Sequence, residues 1–578
     1  MKFDKDIVMA VVICAVVLFG WDPLCRYMGW TPAPRPQIAV RTSSEAPAPQ
    51  AAPAPAAKAP EQSAVPAARK PEKALPPVKA TLELPPVRIA NPDMVYRISP
   101  ASGSIDAITL LKYRNAARTA PVELDRIADS SQGALSLHGA TPWQVENILS
   151  SKISEGRIYT LSRMMRDGRG HRFAVTQTWE LAPSGYAARY RAVFSNPEKT
   201  PVTLAGTVLC GADLPPWHIV SGDKVRIPSH RMDYLTESGD YADIKADKKD
   251  QGFFVKPAPR VKWVSLGNKY FTAILASSVP FTLHQSRVFL NGGKSSYPVI
   301  SAGAVLGDVV LAPGESKSFD FAYYSGPKII ADLDRFDAST GRVMHLAWGP
   351  LDYLARLLLW ILVKFHGLLG SYGWSIVLLT IVVRAVFYPL TARGNASMRK
   401  MQTVQPQLKE IREKYKSNPQ LMNAKMMELY RREGVSPFSG CLPILLQIPV
   451  FFALYATLDG AVELRQVPFL WCRDLAAADT VATIPLYFFS LPVNPLVLAM
   501  TALMVVQQHM TPMSMDPVQK KMMALMPIVM LFMLYDLPSG LTLYWTVSNF
   551  FSIIQLKLQQ RSREKENRGV SRKTGGKA

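Results

Sequence analysis

Five apolar blocks crowd the C-terminal part of the chain, at 375–390, 441–458, 495–508, 522–535 and 541–556, and Arg384 is the only Lys, Arg, Asp or Glu inside them. Blocks of this kind read as helices made for lipid. Some fall short of the roughly 20 residues that a full span prefers, a deficit that local bilayer thinning or flanking residues can absorb. A further apolar run at 7–19 follows Lys2 and Lys5. A secretory signal would look similar, but Trp21, Asp22, Pro23 and Leu24 offer no small-residue cleavage site, and Trp21, Tyr27 and Trp30 suit an aromatic belt at the membrane surface. The expectation is an uncleaved N-terminal transmembrane anchor over 1–22 and six transmembrane helices in all.

A formal charge of +22 on a chain with long uncharged apolar blocks argues for a membrane protein with basic loops over a nucleic-acid binder. In the segment 393–432 Lys and Arg outnumber Glu, and the tail after residue 556 is basic as well. Both should be cytoplasmic by the positive-inside rule, which puts both termini inside and the region 91–330 outside the cytoplasm. Five scattered cysteines with no CxxC spacing suggest neither zinc nor redox chemistry. No metal and no cofactor is expected.

Residues 23–90 are rich in Pro and Ala with almost no aromatics, a composition that reads as an extended, disordered tether. From 91 to 330 the pattern becomes short alternating runs. Tyr186, Ala188, Tyr190, Ala192 and Phe194 share one face of a strand that ends at Asn196-Pro197, and further strands are readable at 173–181, 261–266, 271–276 and 319–324. Many short strands between turn signals favour a β-sandwich domain. His171, His218, His230 and His284 show no spacing that sets an acid beside a base, so a binding or spacer domain is expected, with glycan binding as a fold-level analogy only. Within the connector 331–372, Leu354, Leu358, Ile361, Phe365 and Leu368 form one stripe and Asp352, Arg356 and Lys364 another. This reads as an amphipathic helix lying in the membrane interface, or alternatively packed on the soluble domain.

Arg384 carries the sharpest functional signal, because an intramembrane charge is expensive and marks a site by default. It lies nine residues before Arg393, about 13 Å along a helix, which is near mid-bilayer. A wet recess is therefore expected around it, walled by Thr380 one turn earlier, by Gln447, and by the stripe Thr542, Thr546, Asn549 and Ser552. Interhelical hydrogen bonding that merely holds the bundle together is the plainer reading of that stripe. The region 395–434 reads as a helical hairpin. Met401, Val404, Leu408, Ile411 and Tyr415 keep a helical rhythm, Ser417-Asn418-Pro419 breaks it, and Met422, Met426 and Leu429 resume it before Gly434. Its cationic side chains, Arg399, Lys400, Lys409, Arg412, Lys414, Arg431 and Arg432, would dock a ribosome, anionic lipid or a targeting factor, or would simply be solvated.

Four stretches carry a resemblance: Arg384-Ala-Val-Phe-Tyr-Pro-Leu-Thr391, Gly440-Cys-Leu-Pro443 leading to Gln447-Ile-Pro-Val-Phe451, Val462-Glu-Leu-Arg-Gln-Val-Pro-Phe469, and Pro538-Ser-Gly-Leu-Thr-Leu-Tyr-Trp-Thr-Val-Ser-Asn549. In this order they resemble the YidC membrane insertases, closely over 373–560 and in general character before that. The resemblance implies a multi-domain membrane protein with an α-helical membrane core, five of its helices forming the insertase core, and a periplasmic β-sandwich. It implies a hydrophilic groove holding Arg384, and a face along which incoming segments slide, here Ile448 and Phe451 on one side and Tyr544 and Trp545 near the groove. Trp545 departs from the Tyr that the family leads one to expect.

The implied function is insertion and folding of nascent membrane proteins in the Gram-negative inner membrane, without covalent chemistry or a small-molecule substrate. Implied partners are nascent membrane proteins, the ribosome, the Sec translocon with its accessory subunits, and the phospholipid bilayer. A polytopic transporter is the rival reading, but the C-terminal blocks contain no Asp or Glu. A membrane-anchored glycan-binding or glycan-processing protein is the other, and would place its activity in the β domain. The last stretch, 561–578, is expected to be a basic cytoplasmic tail.

Overall fold

The computed structural model describes residues 84–115, 118–124, 133–214, 231–245, 257–292, 295–433, 442–485, 490–510 and 517–574. The expected anchor and all but the last residues of the expected tether lie outside them. The chain divides into two compact units, residues 28–326 and the remainder.

In the first unit, burial alternates along the strands as period-two reasoning requires: Ile158–Arg166, Arg172–Leu181 and Ala187–Ser195 each bury every second residue. These strands pair as antiparallel neighbours in a long sheet that continues through Ser316–Pro327, Phe271–Gly292 and Arg260–Gly267. The strand read as 271–276 is in fact 22 residues long. Its first half pairs with Arg260–Gly267, while from Thr282 onward it pairs with Ser295–Leu311. That partner in turn pairs with Val202–Leu214, so the long strand joins a second branch to the same 12-stranded sheet.

A smaller four-stranded sheet begins at Val87–Ala90, paired with Met94–Ser99. The tether expected through residue 90 therefore stops short of Val87. The turn after Met94–Ser99 docks on the inner face of the long sheet through Arg163, which is 2% exposed on a strand of otherwise apolar inward residues. Its Nη1 donates to Ala101 O at 2.8 Å and its Nη2 to Gln177 Oε1, while Gln177 Nε2 donates to Gly103 O and Tyr190 Oη. Gly103 has φ +65°, and a Cβ there would strike Arg163 and Gln177.

The second unit is helical: α1 Ile330–Phe336, α2 Pro350–Leu369, α3 Tyr372–Lys414, α4 Pro419–Arg432, α5 Leu442–Gly460, α6 Pro495–Met510, α7 Pro517–Leu534 and α8 Ser539–Thr574. Within α3, residues Tyr372–Pro389 are long and apolar enough to cross a membrane, and Ile448–Gly460, Pro495–Met510 and Ala524–Leu534 are shorter apolar helical stretches.

The amphipathic helix α2 forms where expected, ending at Gly370 with φ +66° and its N–H on His366 O. Its buried face differs from the expected stripe: Ala355, Leu358, Leu359 and Leu362 are buried, whereas Leu368 is exposed. The reason is tertiary. Ala355 O accepts from Thr457 Oγ1 of α5 at 2.9 Å, which turns that side of the helix inward. The charges expected to face the interface are partly used within the chain: Arg356 pairs with Asp352 at 2.6 Å and also donates to Gly341 O and Met344 O, while Asp352 caps Leu346 N and Ala347 N.

Helix α3 runs without a break through Pro389 and Pro406, so the first arm of the basic hairpin is the continuation of the apolar span and not a separate helix. The break at Ser417-Asn418-Pro419 is present, with Asn418 Oδ1 accepting from Leu421 N and Pro419 opening α4. Val404, Leu408 and Leu429 are buried between the arms with Ile411, Met426 and Tyr430 against them. The last helix reaches Thr574, so most of the region expected as a tail continues α8.

Candidate functional site

Arg384 lies one turn after Thr380 on α3. Its Nε donates to Ser548 Oγ of α8 at 2.8 Å, and Nη2 donates to the same oxygen. Ser548 is 1% exposed, and Tyr544, one turn before it, is also buried. Among the described residues no carboxylate lies within ion-pair distance of Arg384. One hydroxyl oxygen thus receives two of the five guanidinium N–H donors, leaving Nη1 and part of Nη2 uncommitted to it.

The other expected polar residues divide by helix face. Thr380 is fully buried and satisfies its hydroxyl on Ile376 O of its own helix. Thr542 does likewise on Ser539 O, and Ser552 on Ser548 O. Thr546 donates to Thr542 O at 2.7 Å and lies 3.4 Å from Leu496 O of α6, so its side of α8 turns toward α6. Asn549 is buried and its Nδ2 has no partner among the described residues. At 100° per residue, Thr542, Thr546 and Asn549 share one side of α8, while Tyr544, Ser548 and Ser552 share the side that meets Arg384. The expected stripe therefore serves two helix contacts. Gln447 belongs to α5, but its side chain lies outside the described residues.

Ser548 falls outside the polar series that the sequence suggests, because its neighbours at 542, 546 and 549 make a tidier one. The signal that finds it is the spacing of four from Tyr544 and from Ser552.

Of the residues expected to form a sliding face, Phe451 and Trp545 meet with ring centroids 4.8 Å apart, and Phe451 also touches Phe452 and Tyr455. Trp545 packs on the cluster of Val497, Met500 and Leu534. Ile448 is half-buried one turn before Phe452 on α5. Tyr544 is buried one turn before Ser548, on the side of α8 that meets Arg384.

On the hairpin, Lys400, Lys409, Arg412, Lys414, Arg431 and Arg432 are exposed, and the side chain of Arg399 lies outside the described residues. Arg432 donates to Gln407 Oε1 at 2.8 Å and to Glu433, and Lys409 lies 3.9 Å from Glu413. Exposed pairs of this kind contribute little to stability. The apolar contacts between the arms hold the hairpin. Among the described residues no group of His, Cys, Asp and Glu could hold a metal ion.

Residues 364–566 match the family model of the 60Kd inner membrane protein, and residues 86–361 match that of the YidC periplasmic domain. A protein of Geobacter sulfurreducens named membrane protein insertase YidC is 42% identical over 298 residues, 51% of this chain and 52% of that protein. The matched stretch thus spans about half the length of that relative. The protein of the same name from Geobacter metallireducens is 32% identical over 582 residues, 96% of this chain and 97% of that one. A solved structure described as an active YidC insertase with its first transmembrane domain resolved is similar at 18% identity and a TM-score of 0.34, covering 84% of this chain and 94% of that chain. With two family models meeting near α2 and a relative alike from end to end, the chain belongs to the YidC family of membrane protein insertases.

Proposed function

We propose that the chain inserts newly made membrane proteins into the bacterial inner membrane, and that Arg384 is the working cation of a hydrophilic groove between α3 and α8. The observation that carries this reading is the guanidinium held by Ser548 with no described carboxylate beside it. A charge at that depth is stabilised by water or by an incoming anion, and the acidic residues of a segment being translocated supply the anion. Thr380, one turn before Arg384, and Ser552, one turn after Ser548, make the surroundings polar, and Ile448, Phe451 and Trp545 offer an apolar face to the rest of the substrate helix. Partition of that helix into lipid drives the process at roughly 25 cal/mol per Å² of apolar surface removed from water.

In this reading α3, α5, α6, α7 and α8 cross the bilayer as the insertase core, 373–560, and with an anchor at 1–22 they make six spans. Both termini and the basic hairpin 395–434 are cytoplasmic, and the domain 91–330 is periplasmic. The hairpin, through Arg399, Lys400, Lys409, Arg412, Lys414, Arg431 and Arg432, docks the ribosome. The Sec translocon with its accessory subunits is a second partner, and no covalent step is involved.

The test is insertion of a small single-span substrate with an acidic translocated tail by the purified chain in proteoliposomes. Arg384→Ala should lose insertion of the acidic substrate and Arg384→Lys should restore part of it. Equal activity of wild type and Arg384→Ala on acidic tails would end the electrostatic part of the proposal. An inactive wild type beside a working control insertase would end the whole of it.

A further inference from the structure

Between α5 and α6 the chain forms a β-hairpin, Ala482–Pro485 paired with Ser490–Val493, whose two strands pair only with each other among the described residues. All four residues of the first strand are exposed, and so are Ser490 and Leu491 of the second. Large apolar side chains are among those exposed: Ile484 is 48% exposed and faces Leu491 across the pair, with Val481, Leu470 and Trp471 also exposed nearby. No Asp, Glu, Lys or Arg occurs between Asp479 and Asp516. An isolated two-stranded hairpin is marginal in water, and a charge-free one lacks the devices that keep edge strands from associating.

The base of this hairpin is firmly built. Asp479 Oδ2 accepts from Trp471 Nε1 at 3.0 Å and from Leu496 N at 2.6 Å, at the start of α6. Thr480 donates to Asn494 Oδ1, Asn494 Nδ2 donates to Tyr535 O just past α7, and the Tyr535 hydroxyl donates to Pro492 O. The strands are thus held in a fixed place at the ends of three apolar helices, while Ala482–Pro485, Ser490 and Leu491 stay exposed.

We infer that the hairpin lies in the headgroup region of the bilayer, in the leaflet opposite the basic α3–α4 hairpin, with Ile484, Leu491 and Trp471 seated at the boundary of headgroups and acyl chains. The occupant follows from continuity. The hairpin joins the ends of α5 and α6, so the bilayer surface is the apolar phase that its position already reaches, and an indole with one bonded N–H suits that boundary. The inference rests on the reading that α5 and α6 cross the membrane. Its consequence is an interfacial brace that fixes where the ends of α5, α6 and α7 sit in depth.

The test places an environment-sensitive dye at Ile484→Cys in the full chain, with Cys14, Cys25 and Cys441 replaced by serine, since Cys210 and Cys472 are buried. Thr483→Cys is a second reporter should the first disturb folding, and Ser238→Cys in the β domain is the aqueous reference. The vesicles combine phosphatidylethanolamine and phosphatidylglycerol, with nitroxide-labelled lipid in both leaflets. The expected result is blue-shifted emission at 484 relative to 238, quenched at least about twofold more by nitroxide near the headgroup than by nitroxide at the acyl end. Water-like emission without nitroxide quenching would overturn the inference, as would blue-shifted emission immune to nitroxide, which would mean that a protein surface covers the strands. A dye at Val505→Cys on α6 separates the two readings: deep quenching there with none at 484 defeats only the brace, and absence of deep quenching at 505 defeats the spans themselves.

Discussion

Replacing Ser548 by alanine tests how Arg384 is held. The guanidinium donates twice to Ser548 Oγ, from Nε at 2.8 Å and from Nη2, and Ser548 is almost fully buried. A hydrogen bond to a charged group contributes about 1.5–3 kcal/mol net, and the two donors here share one acceptor, so their effects do not add. Water reaching the freed guanidinium offsets part of the loss. The working figure is therefore the lower end, about 1.5 kcal/mol, or roughly tenfold in an equilibrium constant.

With Ser548 occupying Nε and one Nη2 hydrogen, Nη1 and the other Nη2 hydrogen point as a fork suited to a carboxylate. Losing the serine frees the fork to rotate, so insertion of substrates with acidic translocated tails should fall about tenfold in proteoliposomes, while tail-neutral substrates insert as before. Ser548→Thr, which keeps the hydroxyl, should retain activity. Adding Ser548→Ala to Arg384→Ala should cost nothing further, because the serine acts through the arginine. Equal losses on acidic and neutral substrates, with a lowered melting temperature, would show that the bond only ties α3 to α8. No loss on either would show that water replaces the hydroxyl in full.

Other outcomes follow from buried polar groups outside the spans. Burial pushes Glu463 up to about 7, with Asp332 nearby adding to the rise, and its Oε2 has no partner among the described residues. A raised carboxyl stabilises the fold while protonated, so stability is full below about pH 4.5 and falls as pH rises through about 7, by about 3 kcal/mol. Glu463→Gln should raise the melting temperature at pH 8 and leave it unchanged at pH 4. Burial lowers His138, with the charge of His284 adding to it, and burial lowers His284 as well. Their contribution is present above the unfolded value of about 6.5 and is lost as pH falls through the depressed folded values. The transition of the β domain should thus move down between pH 7.5 and 5 in calorimetry of the full chain, and His284→Gln should remove about half of that shift. Gly103→Ala meets both a φ of +65° and the Arg163–Gln177 bond, and should destabilise the β domain by about 3 kcal/mol in denaturant unfolding. A loss below about 1 kcal/mol would mean that the turn simply moves aside.

Periodicity and charge made much of this protein legible before any coordinates. The alternation of Tyr186 through Phe194, the break at Ser417-Asn418-Pro419 and the apolar face of Val404, Leu408 and Leu429 are local patterns, because a residue's place on a strand or helix depends only on the count along the chain. The solitary Arg384 among apolar residues is likewise a fact of order. What sits beside it is not. Ser548 is 164 positions away, and which side of α8 turns toward α3 is decided by how α6 claims Thr546. The same applies to Arg163, whose acceptors, Ala101 O and Gln177 Oε1, come from a distant turn and the next strand. Only the tertiary structure carried α3 through Pro389 into the hairpin and shared one long strand between two branches of the sheet, because neighbours packed against an element override its local preferences. Sequence by itself determined which segments seek lipid, which seek water and where the one charge within the apolar blocks lies. Packing decided which groups hold that charge, since a hydrogen bond depends on separations in space that a linear pattern does not encode.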